Sequence, residues 1–342
     1  MAQKCVFCGK DANKKNKEHV IPQWLIRYAG CEQAYIIDEE KRKIPFMRFT
    51  VPACTACNSR YSDWEGNVKT VMTKVLSEQP ITGLEMDLLL DWFDKVRVGI
   101  WLANNNLYAN MYDFDPTLCI DNRIGLHDRM LIIERLNIAG QGILVNGCMS
   151  PLFIHNPSVF QMIINNYSFT NVSYCNLVSR KLGFPVLTDL EYVADGQMSG
   201  KVTQGYSKAT LPVLRSVNPL PHQTVVYQPV FKFFQTSPVC DNEYIRAHSL
   251  DFDSGHGGIF YQKNSGPLKY AGANNRINLS CKPAAHETIS DSLRRTYNLQ
   301  TIVNQIPIRI NTGDSNVDMA IQHQQIKRSK FNMLLSSAFN TK

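Results

Sequence analysis

The spacing of hydrophobic residues changes several times in the N-terminal quarter of the chain, which predicts a series of short elements. Residues 18–22 (EHVIP) are predicted to form a short strand that the proline ends. Apolar residues recur at helical spacing over 23–29 and over 58–76, so we expect a short helix and later a long one. Between these helices, residues 34–37 and 44–51 have strand-like patterns on either side of a charged turn.

The remaining chain divides into an apolar helix, a long strand-rich part and a helical end. Residues 84–102 are strongly apolar, which predicts a helix buried against the larger C-terminal part. Short apolar runs separated by Gly, Pro and Asn follow, and such runs are typical of strands. These predicted strands cover residues 130–136, 142–145, 211–214 and 225–234, whereas 157–165, 286–300 and 315–339 are predicted to be helical.

This order of elements predicts an α+β fold with two domains. Turn-forming residues at 80–83 mark the boundary. Residues 1–80 would form a small N-terminal module, and residues 81–342 a larger α+β domain whose topology the pattern does not specify. A chain of 342 residues is long enough for two domains of roughly 150 residues each.

The composition is that of a globular protein without a membrane span. Hydrophobic residues make up 44% of the chain, and no stretch reaches the ~18 consecutive apolar residues that would suggest a membrane helix. The first residues, MAQKCVFCGK, lack an apolar segment, so we expect no secretory signal and a cytoplasmic location. In that reducing compartment the ten cysteines are not expected to form disulfides. Six of them occur singly and are interpreted as buried free thiols: Cys31, Cys119, Cys148, Cys175, Cys240 and Cys281.

The net charge of the chain is +7, and part of it is concentrated at the N-terminus. Residues 1–80 contain 13 Lys and Arg against 9 Asp and Glu, which gives +4. This excess is compatible with phosphate binding but does not by itself argue for it.

The other four cysteines form two C-x-x-C pairs, Cys5 with Cys8 and Cys54 with Cys57. Two intervening residues allow both sulfur atoms of a pair to reach one tetrahedral ion. A redox dithiol is the alternative for a single pair, but two pairs on either side of a histidine-containing segment favour a four-cysteine zinc site. Zinc alone would be equally consistent with a passive zinc ribbon.

The residues between and after these pairs form a combined motif. Glu18-His19-Val20-Ile21-Pro22 lies between the pairs, and Asn58 directly follows the second pair. Over residues 1–76 this arrangement resembles the HNH endonuclease family, in which a [D/E]-H-[I/V]-x-P strand and a C-x₂-C-[N/H] helix start flank one divalent metal ion. The resemblance implies a ββα-metal module in which His19 deprotonates the attacking water. It also implies that Glu18 and Asn58 hold a catalytic Mg²⁺ or Mn²⁺, apart from a structural Zn²⁺ on the four cysteines.

The chemistry of phosphodiester hydrolysis gives a physical reason for each of these roles. The reaction needs a water nucleophile, a base that titrates near neutral pH and a cation that neutralises charge on the leaving oxygen. Histidine is the side-chain type whose ordinary pKa is nearest to that requirement. Oxygen ligands such as those of Glu18 and Asn58 suit Mg²⁺ or Mn²⁺.

Several features of the chain differ from the family pattern. Glu18 stands where the family usually has Asp, and adjacent strand residues such as Glu18 and His19 normally point to opposite sides. The family's middle Asn, which orients the base, is missing, so Arg48, Thr50 or a backbone carbonyl would have to orient the imidazole. The 34 residues between His19 and Cys54 imply an inserted helix, which the pattern places at 23–29.

Each candidate residue also has a structural interpretation. His19 would be a histidine packed beside a zinc ribbon, and Asn58 would be a helix N-cap. Glu65, on the same predicted helix as Asn58, is expected to have a packing or surface role. The segment Gly255-His256-Gly257-Gly258 is interpreted as a loop before a strand, with a phosphate cradle as the alternative. Basic residues at 327–330 are expected to be solvated or to contact a nucleic-acid backbone.

These observations lead to the hypothesis of a metal-dependent endonuclease that cuts DNA, with a larger domain that determines where or when it cuts. RNA is not excluded, because nothing in the residues reads the 2′-hydroxyl. The resemblance suggests a role in restriction or phage defence, and cutting both strands in one visit would need a homodimer. Two alternatives stay open. One is a zinc-ribbon nucleic-acid-binding protein without catalysis, and the other is a nuclease activated by a small molecule or an oligonucleotide bound to the C-terminal domain.

Overall fold

The fold is taken from a computed structural model of the chain. It describes residues 4–12, 16–37, 43–107, 119–138, 140–147, 158–173, 186–194, 197–203, 222–230, 254–264, 266–267, 269–283, 287–304 and 315–338. None of the helices in these ranges combines the length and the apolarity that crossing a bilayer requires.

The N-terminal module contains two small antiparallel strand pairs and two helices. Strand β1 (Lys17–His19) pairs with β4 (Thr50–Pro52), and strand β2 (Tyr35–Ile37) pairs with β3 (Lys43–Pro45). The short helix α1 (Gln23–Tyr28) follows β1, as the helical spacing over 23–29 predicted. The long helix α2 (Thr55–Leu76) follows β4 directly. The β1–β4 pair therefore leads into the long helix α2. Helix α1 and the β2–β3 pair are inserted in the chain between β1 and β4.

Two predicted boundaries in this module were wrong. The strand predicted over 44–51 is interrupted, because Phe46–Arg48 form a 3₁₀ turn between β3 and β4. Helix α2 begins at Thr55 rather than at residue 58, with Cys54 as its N-cap residue. The backbone N–H of Asn58 already donates to the Cys54 carbonyl at 2.9 Å, so Asn58 lies inside the helix and does not cap it.

The apolar helix predicted over 84–102 is confirmed as α3 (Gly83–Leu107), which begins directly after the short strand β5 (Ile81–Thr82). One continuous cluster of buried apolar side chains includes Phe7 near the N-terminus, Trp92 of α3 and Phe160 of the large sheet. The chain junction at 80–83 is therefore not a break in the core, because α3 packs against both parts of the protein.

The C-terminal part is built on an antiparallel sheet of seven strands in the order β14-β13-β12-β6-β9-β8-β7. The strands are β6 (Arg129–Arg135), β7 (Ile143–Asn146), β8 (Ser158–Ile164), β9 (Tyr167–Ser173), β12 (Gln223–Gln228), β13 (Ile259–Lys263) and β14 (Lys269–Ala271). A separate hairpin joins β10 (Val186–Ala194) to β11 (Gln197–Thr203), and β15 (Arg276–Ile277) pairs with β5. Helices α4 (Ile289–Asn304) and α5 (Ser315–Ala338) complete the chain.

Most predicted elements of this part are confirmed where they can be compared. Strands β6 and β7 match the predictions over 130–136 and 142–145, and β12 matches the first part of 225–234. Helices α4 and α5 match the predictions over 286–300 and 315–339. The strand predicted over 211–214 and the end of 225–234 lie outside the described residues.

The helix predicted over 157–165 was wrong, because these residues form strand β8. Val159 to Ile164 are buried and nearly all apolar, so their spacing fits a helix and a doubly covered strand equally well. The turn that follows decides between the two. Asn165 adopts a positive φ of 53°, and β8 and β9 pair on either side of it as a hairpin.

A buried lysine joins the N-terminal module to α3. The Lys95 side chain is 1% exposed, and its Nζ lies 2.8 Å from Glu18 Oε1 and 2.6 Å from Glu65 Oε1. Burial opposes the charged ammonium, but the two carboxylates outweigh this effect and raise the pKa of Lys95. The contact thereby connects β1, α2 and α3 through one ammonium group.

We expect Lys95→Met to lower the free energy of unfolding by about 3–5 kcal/mol, because two buried carboxylates would lose their cation. Burial already raises the pKa of Glu65. In the variant, protonation of Glu65 therefore stabilises the folded state as the pH falls from this raised pKa towards the ordinary glutamate value of about 4.3. The loss in the free energy of unfolding caused by Lys95→Met should therefore be smaller at pH 5 than at pH 7.5.

Denaturant unfolding followed by tryptophan fluorescence would measure this loss. Lys69→Met, at an exposed position of α2, is the matched control and should change stability little. Equal stability of the two variants at pH 7.5 would contradict the structural importance of the Lys95 contacts.

Candidate functional site

The first cysteine pair lies in a tight backbone turn. The N–H of Cys5 donates to the carbonyl of Lys10 at 2.8 Å, and the N–H of Gly9 donates to the carbonyl of Cys5 at 2.9 Å. Gly9 has a φ of +73°, and a Cβ added there would lie 2.9 Å from Cys119 Sγ. Both the backbone conformation and the available space therefore require glycine at this position.

The second cysteine pair is formed by the start of α2. Cys54 is the N-cap residue and Cys57 lies in the first turn, so the helix fixes their separation. The N–H of Val6 donates to the carbonyl of Pro52 at 3.0 Å and holds the first turn against β4. Together these elements place one sulfur atom from each of the four cysteines within 4.8 Å of the others.

This arrangement fits a tetrahedral zinc ion. Zinc–sulfur bonds of about 2.3 Å place tetrahedral sulfur ligands about 3.8 Å apart, and the Sγ atoms of Cys8 and Cys54 are 3.9 Å apart. The backbone N–H of Cys57 lowers the pKa of the Cys54 thiol to about 7, whereas burial raises the pKa of Cys5 and of Cys57. A bound cation would offset this cost of ionising buried thiols, so the four cysteines are compatible with a structural zinc site.

Residues 119–123 cover one side of the cysteine cluster. The N–H groups of Ile120 and Asp121 donate to the carbonyls of Val6 and Phe7 at 2.8 and 3.1 Å. The hydroxyl of Tyr61, on α2, donates to Asp121 Oδ1 at 2.6 Å. A segment distant in the sequence thus fixes the first cysteine turn against α2.

His19 lies at the end of β1 and is paired in register with Thr50 of β4. Its side chain is partly buried, and its Nε2 lies 3.2 Å from the carbonyl oxygen of Met47 and 3.0 Å from Gln23 Nε2. Neither Arg48 nor Thr50 is the contact that the structure gives the imidazole. The sequence analysis left three candidates for orienting the imidazole: Arg48, Thr50 and a backbone carbonyl. The structure places a backbone carbonyl, that of Met47, next to the ring.

Glu18 points to the opposite side of β1. It is 8% exposed, and its carboxylate accepts a hydrogen bond from Lys95 in the interior. A metal ion bound through Glu18 would compete with this ammonium for the carboxylate, and a buried Lys95 without that partner would be costly. The structure therefore does not bring Glu18 to the side of the strand on which His19 meets Met47, and its role as a metal ligand stays a prediction.

Asn58 lies in α2 directly after Cys57, and it is partly buried. Its position follows from the cysteines, because Cys54 and Cys57 fix the start of the helix. Glu65, seven residues later, is buried and bonded to Lys95, which agrees with the packing role expected for it.

A second group of metal-ligating side chains lies in the C-terminal part. Glu134, His222 and Glu287 also approach one another within 4.8 Å. Arg295 contacts both carboxylates of this group, with its Nη2 2.6 Å from Glu134 Oε1. Because a cation already neutralises these carboxylates, the group is best described as a buried ion-pair network.

The sequence did not reveal the parts played by Lys95, Gln23 and residues 119–123. Lys95 carried a usable signal, since a charge within an apolar helix must find a partner. Residues 119–123 carried none, because their contacts with the cysteine turn are made by the backbone.

Comparisons with known proteins gave no match to a protein-family model, to a curated protein or to a solved structure. The functional argument therefore depends on the residues and the geometry described above.

We expect Cys57→Ser to lose most of the bound zinc, because a hydroxyl is a much weaker zinc ligand than a thiolate and three sulfurs would remain. The zinc content of the purified protein can be measured by inductively coupled plasma mass spectrometry. Cys31→Ser is the matched control, since Cys31 is also buried but lies outside the cluster. Equal zinc contents in the two variants would contradict the four-cysteine site.

Proposed function

We propose that the protein is a metal-dependent endonuclease that hydrolyses DNA phosphodiester bonds, with His19 as the general base. The observation that carries the proposal is the position of His19. Its imidazole lies at the end of the β1–β4 pair that leads into α2, and one ring nitrogen contacts the Met47 carbonyl. The cysteine cluster at the start of α2 supports the proposal, because it fixes the helix that carries Asn58.

A base that takes its proton at Nδ1 needs the tautomer of His19 in which Nε2 carries the proton. The two contacts of Nε2 favour opposite tautomers. A protonated Nε2 donates to the Met47 carbonyl and leaves a lone pair on Nδ1, whereas an unprotonated Nε2 accepts from the Gln23 amide nitrogen. Among the described residues, both contacts of the imidazole are made through Nε2. The Met47 carbonyl would also stabilise the imidazolium that forms when Nδ1 accepts a proton from water.

The predicted donors for a catalytic Mg²⁺ or Mn²⁺ fit only in part. Asn58 supplies one amide oxygen, but Glu18 is engaged by Lys95. The proposal therefore keeps the divalent-ion requirement and Asn58 as a donor, and it assigns Glu18 to the interior contact instead. When bound, such an ion would neutralise charge on the scissile phosphate.

One observation favours a second candidate function. The HNH pattern has an acidic metal ligand directly before the histidine. If Glu18 is held by Lys95, the described part of the module has no acidic ligand at that position. This is what a zinc-ribbon protein that binds nucleic acid without cutting it would show. The two candidates differ in whether His19 is needed for any chemistry.

Cleavage of supercoiled plasmid in Mg²⁺ or Mn²⁺ would distinguish them. We expect wild-type protein to nick or linearise the plasmid and His19→Ala to be slower by about 100-fold to 10,000-fold, because a general base contributes that much. Both proteins should first be shown to be folded and to contain zinc. A duplex RNA substrate run in parallel tests the choice of DNA.

The matched control is His323→Ala, which removes an exposed histidine of α5. This variant should cut at the wild-type rate. Equal cutting by His19→Ala and wild type would contradict the role of His19. An absence of cutting by zinc-loaded wild type on both modified and unmodified DNA would favour the non-catalytic zinc ribbon.

A further inference from the structure

An open groove lies at the edge of the large sheet, on a part of the chain that the endonuclease proposal does not use. Its volume is about 260 Å³, and it is formed by β13, β14, the turn between them and the segment that contains β15. The residues that line it are Tyr261, Lys263, Gly266, Pro267, Lys269, Arg276 and Asn278. Pockets for small molecules usually enclose about 300–1,000 Å³, so the groove is too small and too open to be typical of them.

The groove is basic. Three of its lining residues are Lys or Arg, and none is Asp or Glu. The surrounding sequence has the same bias, since residues 254–286 contain four Lys and Arg and no Asp or Glu. The four are Lys263, Lys269, Arg276 and Lys282. A run of 33 residues without a carboxylate, in a chain with 29 Asp and Glu, concentrates positive potential on this edge.

The cations of the groove are not used by the fold. Lys269 and Arg276 are exposed, and the contact given for Lys263 is a long one, with Nζ 3.5 Å from Ser280 Oγ. Within the described ranges, no carboxylate forms an ion pair with any of these three. Glu85, which lies close to the β5–β15 pair, is already engaged by Lys74 and by the N–H of Thr82.

Regular structure nevertheless holds these cations in place. Tyr261 pairs in register with Lys269, and Lys263 lies two residues further along β13, so the three side chains share one face of the sheet. Arg276 pairs in register with Thr82 of β5. The groove is therefore a fixed array of cations with an adjacent amide and a phenol.

From this array we infer that the groove binds the phosphodiester backbone of duplex DNA, as a second contact site apart from His19. Lys, Arg, Asn and Tyr are side chains that commonly contact DNA phosphates. The inference rests on the proposed function for its substrate, and it adds the surface that holds that substrate.

The groove and the cysteine cluster lie near opposite ends of helix α2. Helix α2 has 22 residues and begins at the cluster, so it is about 33 Å long. Four residues separate its end from β5, which pairs with β15 at the groove.

The test is the binding of a fluorescein-labelled 30-base-pair duplex to the full-length, zinc-loaded protein without Mg²⁺ or Mn²⁺. Fluorescence anisotropy over a series of salt concentrations gives the affinity and its salt dependence. The variant is Lys263→Gln, Lys269→Gln and Arg276→Gln combined. The control is Lys69→Gln, which removes an exposed cation of α2 that lies outside the groove.

We expect the triple variant to bind about tenfold or more weakly, with a salt slope smaller by about 2–3 units, because each lost phosphate contact removes about 0.9 unit. The control should keep both values. Unchanged affinity and slope in a folded triple variant would overturn the inference, as would wild-type binding only to RNA or to single strands.

The outcome is independent of the cleavage result. Loss of binding in the triple variant supports the groove even if wild type never cuts DNA, in which case the nuclease proposal alone fails. Conversely, cleavage that depends on His19 together with unchanged binding by the triple variant rejects the groove and leaves the nuclease proposal intact.

Discussion

The buried ammonium of Lys95 connects the three elements on which the N-terminal module depends. It reaches Glu18 on β1 and Glu65 on α2 from its own position on α3. A lysine that is 1% exposed is stable as a cation only with such partners, so the contact restricts how β1 and α2 can lie on α3. Because α3 also packs against the large sheet, the same contact ties the small module to the rest of the protein.

This restriction places Glu18 and His19 in different environments on the two sides of β1. Glu18 faces the interior, and the next residue, His19, lies beside the Met47 carbonyl with part of its ring accessible. The cysteine cluster acts at the other end of the same short strand pair, where it fixes the start of α2. His19 is thus positioned by a strand, and Asn58 by a helix whose first turn carries half of the cysteine cluster.

The sequence predicted the elements whose cause is local. The two C-x-x-C pairs, α1, α3, β6 and the two C-terminal helices follow from spacing within single segments, and the structure has each of them. Strand β8 could not be predicted in this way. A segment that is apolar on both faces shows no periodicity, so its sequence does not distinguish a helix from a strand. The metal-ligand role of Glu18 came from the family resemblance, and nothing in the sequence indicated that Lys95, 77 residues away, engages this carboxylate. The basic groove also depends on tertiary structure, since β15 joins it by pairing with β5 rather than with its neighbours in sequence.

The proposed catalysis at His19 requires that the Glu18 side of β1 takes no part in the reaction. The most direct measurement is the rate of plasmid cleavage by Glu18→Gln at saturating Mn²⁺, with zinc content and fold confirmed. This change keeps an oxygen that accepts a hydrogen bond from Lys95 and leaves Lys95 and Glu65 as a neutral pair, so the fold should be retained. The account predicts cleavage close to the wild-type rate. A loss as large as that caused by removing the His19 imidazole would contradict it and would make Glu18 a ligand of the catalytic ion.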